Sequence, residues 1–144
     1  MTPNIKIANA AMAEARAIIA QGGLVAFPTE TVYGLGADAT NDAAVAAIFD
    51  TKKRPAFNPL IVHFANCEML APHVIMTDLA TSLADAFWPG PLTLVLKRAP
   101  DTPISKLVSA GLETMAVRVP KHPIAQSLIR ACNTPIAAPS ANRF

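Results

Sequence analysis

Cysteine, charge and aromatic residues are all scarce in this 144-residue chain, and each shortage narrows the range of functions. The two cysteines, Cys67 and Cys132, lie far apart and in no CxxC-type motif. They read as unpaired structural thiols of a protein kept in a reducing cytoplasm. The three histidines show no HxxxH spacing, so the sequence proposes no zinc site. Charged residues make up only 15% and the net charge is +2, too little to announce nucleic-acid binding, so any basic function must come from local clustering. Aromatics are 6% of the chain, which leaves few stacking platforms for a single strand. No apolar run reaches the roughly 18 residues of a membrane span. Met1 to Gln21 carries Glu14 and Arg16 and lacks a basic leading region, so it is not read as a secretory signal. GxxxxGK[ST], GxGxxG and GxSxG are all missing, which removes the standard phosphate loops and the nucleophile elbow. There is no internal repeat, low-complexity tract or linker.

What remains is apolar, 52% hydrophobic over a length suited to one domain with a buried core. The organising stretch is Phe27-Pro28-Thr29-Glu30-Thr31-Val32-Tyr33-Gly34-Leu35-Gly36. It follows the apolar run Leu24–Phe27, a short buried strand that Pro28 ends because it cannot donate to a sheet ladder. Three hydroxyls and a carboxylate come next, and Gly34 and Gly36 are expected to permit turns. A polar, glycine-punctuated loop at a strand's C-terminal end is where open α/β sheets place ligands. Taken alone, the stretch is equally an ordinary strand-to-helix connection.

The rest of the chain alternates in the same manner. Ile7–Gln21 has helical spacing and Gly22 is suited to stop it. Thr40-Asn41-Asp42 offers caps for a helix from Ala43 to Lys52, where Lys52 and Lys53 suit the helix dipole. Pro55 and Pro59 fix Arg54–Pro59 as a non-helical loop. Leu60–Phe64 reads as a buried strand containing His63. A helix capped by Thr77 or Asp78 runs through Trp88 and is stopped by Pro89-Gly90-Pro91. Leu92–Leu96 and Met115–Val119 are strands, His122–Cys132 a helix, and Pro135–Ala138 a last short strand before Ser140-Ala141-Asn142. The expectation is an α/β sheet with its faces covered by helices, some of its pairs antiparallel.

The polar residues at strand ends define the chemistry that is open to such a fold. Lys52 and Arg54 suit phosphates, one as a point charge and the other as a bidentate fork. Arg118 inside an apolar strand requires an anion or carboxylate, and an ion pair with Glu30 or Glu113 would satisfy it structurally. His63 in a buried strand is more often a hydrogen-bonded core residue than a catalyst. These residues predict a cationic, hydroxyl-rich cleft for a small, phosphorylated anion, with no reaction specified.

Six ordered blocks go further. They are Pro28–Gly36, Lys52-Lys53-Arg54-Pro55, Asn58–His63, Trp88–Thr93, Thr114–Pro120 and Ala138–Asn142. Together they resemble the YrdC-like L-threonylcarbamoyladenylate synthase family, whose KxR and SxN signature is matched by Lys52–Arg54 and Ser140–Asn142. The resemblance implies a twisted α/β sheet with a basic concave cavity, and a single YrdC-like domain over residues 1–144. It implies condensation of L-threonine, bicarbonate and ATP into threonylcarbamoyl-AMP and pyrophosphate, with Mg2+ accompanying ATP. Thr31, His63, Arg118 and Ala138 would hold threonine. Arg54, Asn58, Thr114, Ser140 and Asn142 would contact ATP, and Lys52 and Arg54 would be the catalytic cations. The resemblance also implies cytoplasmic location, a downstream tRNA threonylcarbamoyltransferase acting on adenosine 37, and RNA partners (tRNA or double-stranded RNA). Domains of the family continue past the SxN motif, so the C-terminal part is expected to be missing here. Two other readings stand beside this one: a non-catalytic RNA- or nucleotide-binding module (or inactive truncated homologue), and a domain excised from a carbamoyltransferase of hydrogenase maturation.

Overall fold

A computed structural model describes residues 8–142, with side chains from residue 11 onward. The first helix, α1 (Ala8–Ala20), leads through Gly22, at φ 84°, into β1 (Val25–Phe27). The Ile7 start expected for this helix lies outside the described residues. β2 (Gly34–Asp38), α2 (Asp42–Lys52) and β3 (Ile61–His63) follow. Beyond them come α3 (Cys67–Leu70), α4 (Asp78–Phe87), β4 (Leu94–Lys97), β5 (Thr114–Arg118), α5 (Pro123–Cys132) and β6 (Ile136–Ala137). Short 3-10 turns occupy Ala71–His73 and Lys106–Ser109. The caps lie where the sequence offers them. Asn41 and Thr77 accept the free N–H groups of Ala44 and Ala80, and His122 accepts from Ile124 at the start of α5.

The six strands form one mixed sheet in the order β1-β2-β6-β3-β5-β4. Only β3 and β5 pair in parallel; the other neighbours are antiparallel. The expected strand-to-helix connection after Pro28 is therefore corrected. Thr29–Tyr33 is the loop of a hairpin, and Gly34–Asp38 pairs with β1 in the register Phe27↔Gly34 and Val25↔Gly36. The two glycines are not turn residues. A Cβ on Gly36 would lie 2.7 Å from the Phe27 ring and 2.8 Å from Ile136 Cγ2, and one on Gly34 would lie 3.2 Å from both Phe27 and Ala138. Close packing excludes a side chain there.

Because side chains alternate along strands, the register assigns each face of the sheet. On one face Ala37, Val62, Leu94, Met115, Val117 and Ala137 pack in the main core with Val45, Ile48 and Phe49 of α2 and with Val108. On the other face Phe27 and Ile136 meet Ile19 of α1 and Ala125, Leu128 and Ile129 of α5. The two helices cover that face only over the β1, β2 and β6 side. Farther along it, Ile61 and Ala116 are half-buried and Val95 is 65% exposed. The sheet is thus two-layered on one face and half-covered on the other.

Candidate functional site

The edge of the covered half opens into a cavity of about 310 Å³, walled by Thr29, Thr31, Arg54, His63, Arg118 and Ser140, with Val32, Gly34, Pro59, Ile61, Ala138 and Pro139 between them. The walls come from the hairpin loop, the Arg54–Pro59 loop, the ends of parallel neighbours β3 and β5, and the segment after β6. A larger depression of about 650 Å³ lies along the outer face of α2, lined by Ala43, Ala46, Ala47, Asp50 and Lys53, and shares only Arg54 with the first. It is an open groove beside a helix, and apart from Arg54 none of the site residues expected from the sequence lines it.

The hairpin loop is ordered by its own hydroxyls. Thr29 Oγ1 donates to Val32 O at 2.6 Å and accepts the N–H groups of Thr31 and Val32. This local turn presents the Thr31 hydroxyl to Arg118 Nη1 at 3.2 Å. Arg118 is 5% exposed. Its Nε donates to Gly90 O at 3.0 Å and its Nη2 stands 2.6 Å from Glu30 Oε1. Of the two structural partners expected for Arg118, Glu30 is the one found. The contact lies off the N–H direction, so it is a charge pair that leaves Nη2 without a hydrogen bond. Glu30 Oε2 accepts the Lys121 N–H at 2.7 Å. Partial burial pushes the Glu30 carboxyl up, but its own backbone N–H, that of Lys121, the Arg118 charge and the His122 N–H together hold it below its usual range.

His63, in register with Arg118, is buried with its ring edge-on to Phe27 at 6.0 Å. Burial, and then the Arg118 charge, lower its pKa to about 4, so it is a neutral imidazole near pH 7. Its Nδ1 has no hydrogen-bond partner within the geometry of a well-formed bond, while the backbone of Ile136 and Ile61 acts on the ring in the direction opposite to burial. At the other wall, Arg54 Nη2 donates to Pro59 O at 2.9 Å while its Nε is buried and unpartnered. Lys52 donates to Ser140 O at 2.6 Å, which ties the end of α2 to the segment after β6. Desolvation, followed by the charge of Arg54, lowers the Lys52 pKa. Ser140 Oγ in turn donates to Asn142 Oδ1 at 2.5 Å. Lys52, Ser140 and Asn142, distant in sequence, thus form one connected group, and Arg54 lines the same cavity as Ser140.

Thr31, Arg54, His63, Arg118, Ala138 and Ser140 therefore line one cavity, and Lys52 and Asn142 are bonded to its rim. Asn58 lies half-buried in the Arg54–Pro59 loop, outside the lining. Thr114 is not in the cavity: it begins β5, four residues from Arg118 on the same face, about 13 Å along the strand. Sequence reasoning gave no site role to Val32, Gly34, Pro59, Ile61 and Pro139 of the lining or to the Gly90 carbonyl that holds Arg118, and counted Thr29 only among the polar groups at the strand ends. Glu30 had been considered only as an ion-pair partner. The polar signal at Thr29 was visible, but Gly90 acts through its carbonyl, which no side-chain pattern reveals.

A resident divalent cation has little to bind to in this wall. Glu30, the carboxylate nearest Arg118, is committed to Arg118 and Lys121, and no group of three or more His, Cys, Asp or Glu could hold a metal among the described residues. Among those residues no helix is long and apolar enough to cross a membrane.

Residues 17–144 match the family described as Telomere recombination (Sua5/YciO/YrdC). The chain is 51% identical over 137 residues to the threonylcarbamoyl-AMP synthase of Bacillus subtilis, covering 91% of this chain and 38% of that protein. It is 36% identical over 136 residues to the synthase of Yersinia enterocolitica, covering 92% of this chain and 70% of that one. Among solved structures, P. abyssi Sua5 complexed with L-threonine superposes with a TM-score of 0.90 at 48% identity, over 96% of this chain and 41% of that one. The chain thus spans about two fifths of the length of the longer relatives it matches.

Proposed function

The chain belongs to the Sua5/YciO/YrdC family, and on that premise we propose that it binds L-threonine and ATP and makes L-threonylcarbamoyl-AMP. The observation that carries the reading is where unsatisfied polarity collects. Arg54 Nε, His63 Nδ1 and Arg118 Nη2 are the buried side-chain atoms without hydrogen-bond partners among the described residues, and all three belong to residues lining one cavity. Leaving Arg54 Nε and His63 Nδ1 unpaired costs about 1–3 kcal/mol each, and Arg118 Nη2 has the Glu30 charge beside it but no hydrogen bond. A ligand bearing acceptors at both ends would recover that energy.

In the proposed reaction bicarbonate and the threonine amine condense to the N-carboxylate with loss of water, and a carboxylate oxygen attacks the α-phosphorus of ATP while pyrophosphate leaves. Neutral His63, Thr31 and Arg118 hold the amino acid against the sheet. Lys52 and Arg54 face the phosphates and stabilise charge as it moves onto pyrophosphate. Magnesium would travel with the ATP phosphates as part of the substrate. Positioning and electrostatics supply the catalysis, without a covalent enzyme intermediate. The product would pass to a tRNA threonylcarbamoyltransferase acting on adenosine 37.

The test is pyrophosphate release from ATP, magnesium and bicarbonate with and without L-threonine. Threonine-dependent release is expected. ATP turnover indifferent to threonine, or none from folded protein, would overturn the reading.

A further inference from the structure

Each nitrogen of the Arg118 guanidinium already faces an acceptor from within the protein, although only Nε and Nη1 make hydrogen bonds. Gly90 O takes Nε, Thr31 Oγ1 takes Nη1, and Glu30 stands against Nη2. Through its other oxygen Glu30 holds the Lys121 N–H, so it bridges the hairpin loop to the segment following β5. Two features distinguish this bridge from a permanent structural pair. The Glu30 side chain is 23% exposed against 6% for Arg118, so the carboxylate has water to turn into and the guanidinium does not. The pair also leaves Nη2 buried and without a hydrogen bond. A carboxylate arriving in line with that N–H would make the charge-assisted bond that Glu30 does not make.

We infer that Glu30 is a resident competitor for Arg118, displaced by the carboxylate of the bound substrate. The inference rests on the reading that the cavity takes an amino acid. Exchange keeps the buried cation neutralised before and after binding, avoiding the cost of an unpaired charge in the wall. It also means that the substrate carboxylate gains only the difference between its own pairing and that of Glu30. The native site should therefore discriminate modestly between a carboxylate and its amide. On displacement the Lys121 N–H loses its carboxylate acceptor, while the Thr31–Arg118 bond can persist.

The experiment pairs calorimetric titration of L-threonine and L-threoninamide into the native chain and Glu30→Gln with the 15N resonance of the Lys121 amide in the native chain. Glutamine keeps an acceptor for Lys121 while removing the charge. We expect L-threonine, but not the amide, to shift the Lys121 signal. Glu30→Gln should bind L-threonine about tenfold more tightly and widen the preference for the carboxylate by a similar factor. Saturation by L-threonine with a stationary Lys121 signal, and unchanged or weaker binding by Glu30→Gln, would overturn the exchange and leave the amino-acid reading standing. Failure of both proteins to bind L-threonine would overturn both. The Lys121 readout uses the unaltered sequence, so a folding defect in the variant does not decide the outcome.

Discussion

Acid should weaken this fold, with the buried imidazole of His63 as a separable part of the effect. His63 is 3% exposed in β3, packed edge-on to Phe27 and in register with Arg118. Burial first, and Arg118 second, bring its pKa from 6.5 to about 4. In the unfolded chain the ring takes up its proton near pH 6.5, so between the two values the unfolded state binds one proton more and stability rises with pH. The contribution is complete above the unfolded value and is lost as pH falls toward the folded one. At roughly 1.4 kcal/mol per pH unit the loss across that window is about 3 kcal/mol. Urea unfolding at several pH values between about 7.5 and about 4.5 measures it, with His63→Leu as the reference. The substitution changes absolute stability, but only the slope matters. His73, whose pKa is lowered by burial and then by Arg98, contributes to both proteins and cancels. Native protein should lose about 3 kcal/mol more than the variant over this range. Parallel pH dependences would refute the reasoning.

Lys52→Ala and Arg54→Ala should each reduce threonine-dependent pyrophosphate release by about a hundredfold or more. Their melting temperatures should move by only a few degrees, because both side chains are half-buried at the rim of the fold. A near-native rate in either variant would remove that residue from the chemistry. Gly36→Ala should cost about 1–3 kcal/mol in urea unfolding, since the added Cβ presses on Phe27 and Ile136 in the core. A neutral result would show that these side chains yield.

Legibility from sequence followed the strength of local signals. Helices with a capping side chain at one end and a proline stop at the other, such as α2 and α4, were placed to within a residue or two because start and stop are both local signals. β2 was missed because Gly-Leu-Gly-Ala-Asp has neither branched side chains nor aromatic residues. It is a strand only because Phe27 and Ile136 fill the space above its glycines, which is tertiary information. α3 and the 3-10 turns at Ala71–His73 and Lys106–Ser109 are too short to set a period. At the site, the demand of Arg118 for a partner was legible from its apolar neighbours. Glu30 was one of the two carboxylates the sequence offered it; that Thr31 and the Gly90 carbonyl would share the guanidinium was not legible, because they meet it only where separate connections converge.

The position of β6 constrains how the protein is assembled. It is the latest described strand in sequence, yet it lies between β2 and β3 near the middle of the sheet. Until Ile136 and Ala137 have left the ribosome, the sheet can exist only as a hairpin on one side and a three-stranded piece on the other. Each piece then presents an open edge, β2 and β3, to solvent and to other chains. Those two pieces also carry opposite walls of the cavity, with Thr29 and Thr31 on the first and His63 and Arg118 on the second. Docking of β6 therefore brings the cavity walls together in the same step that seals the two exposed edges.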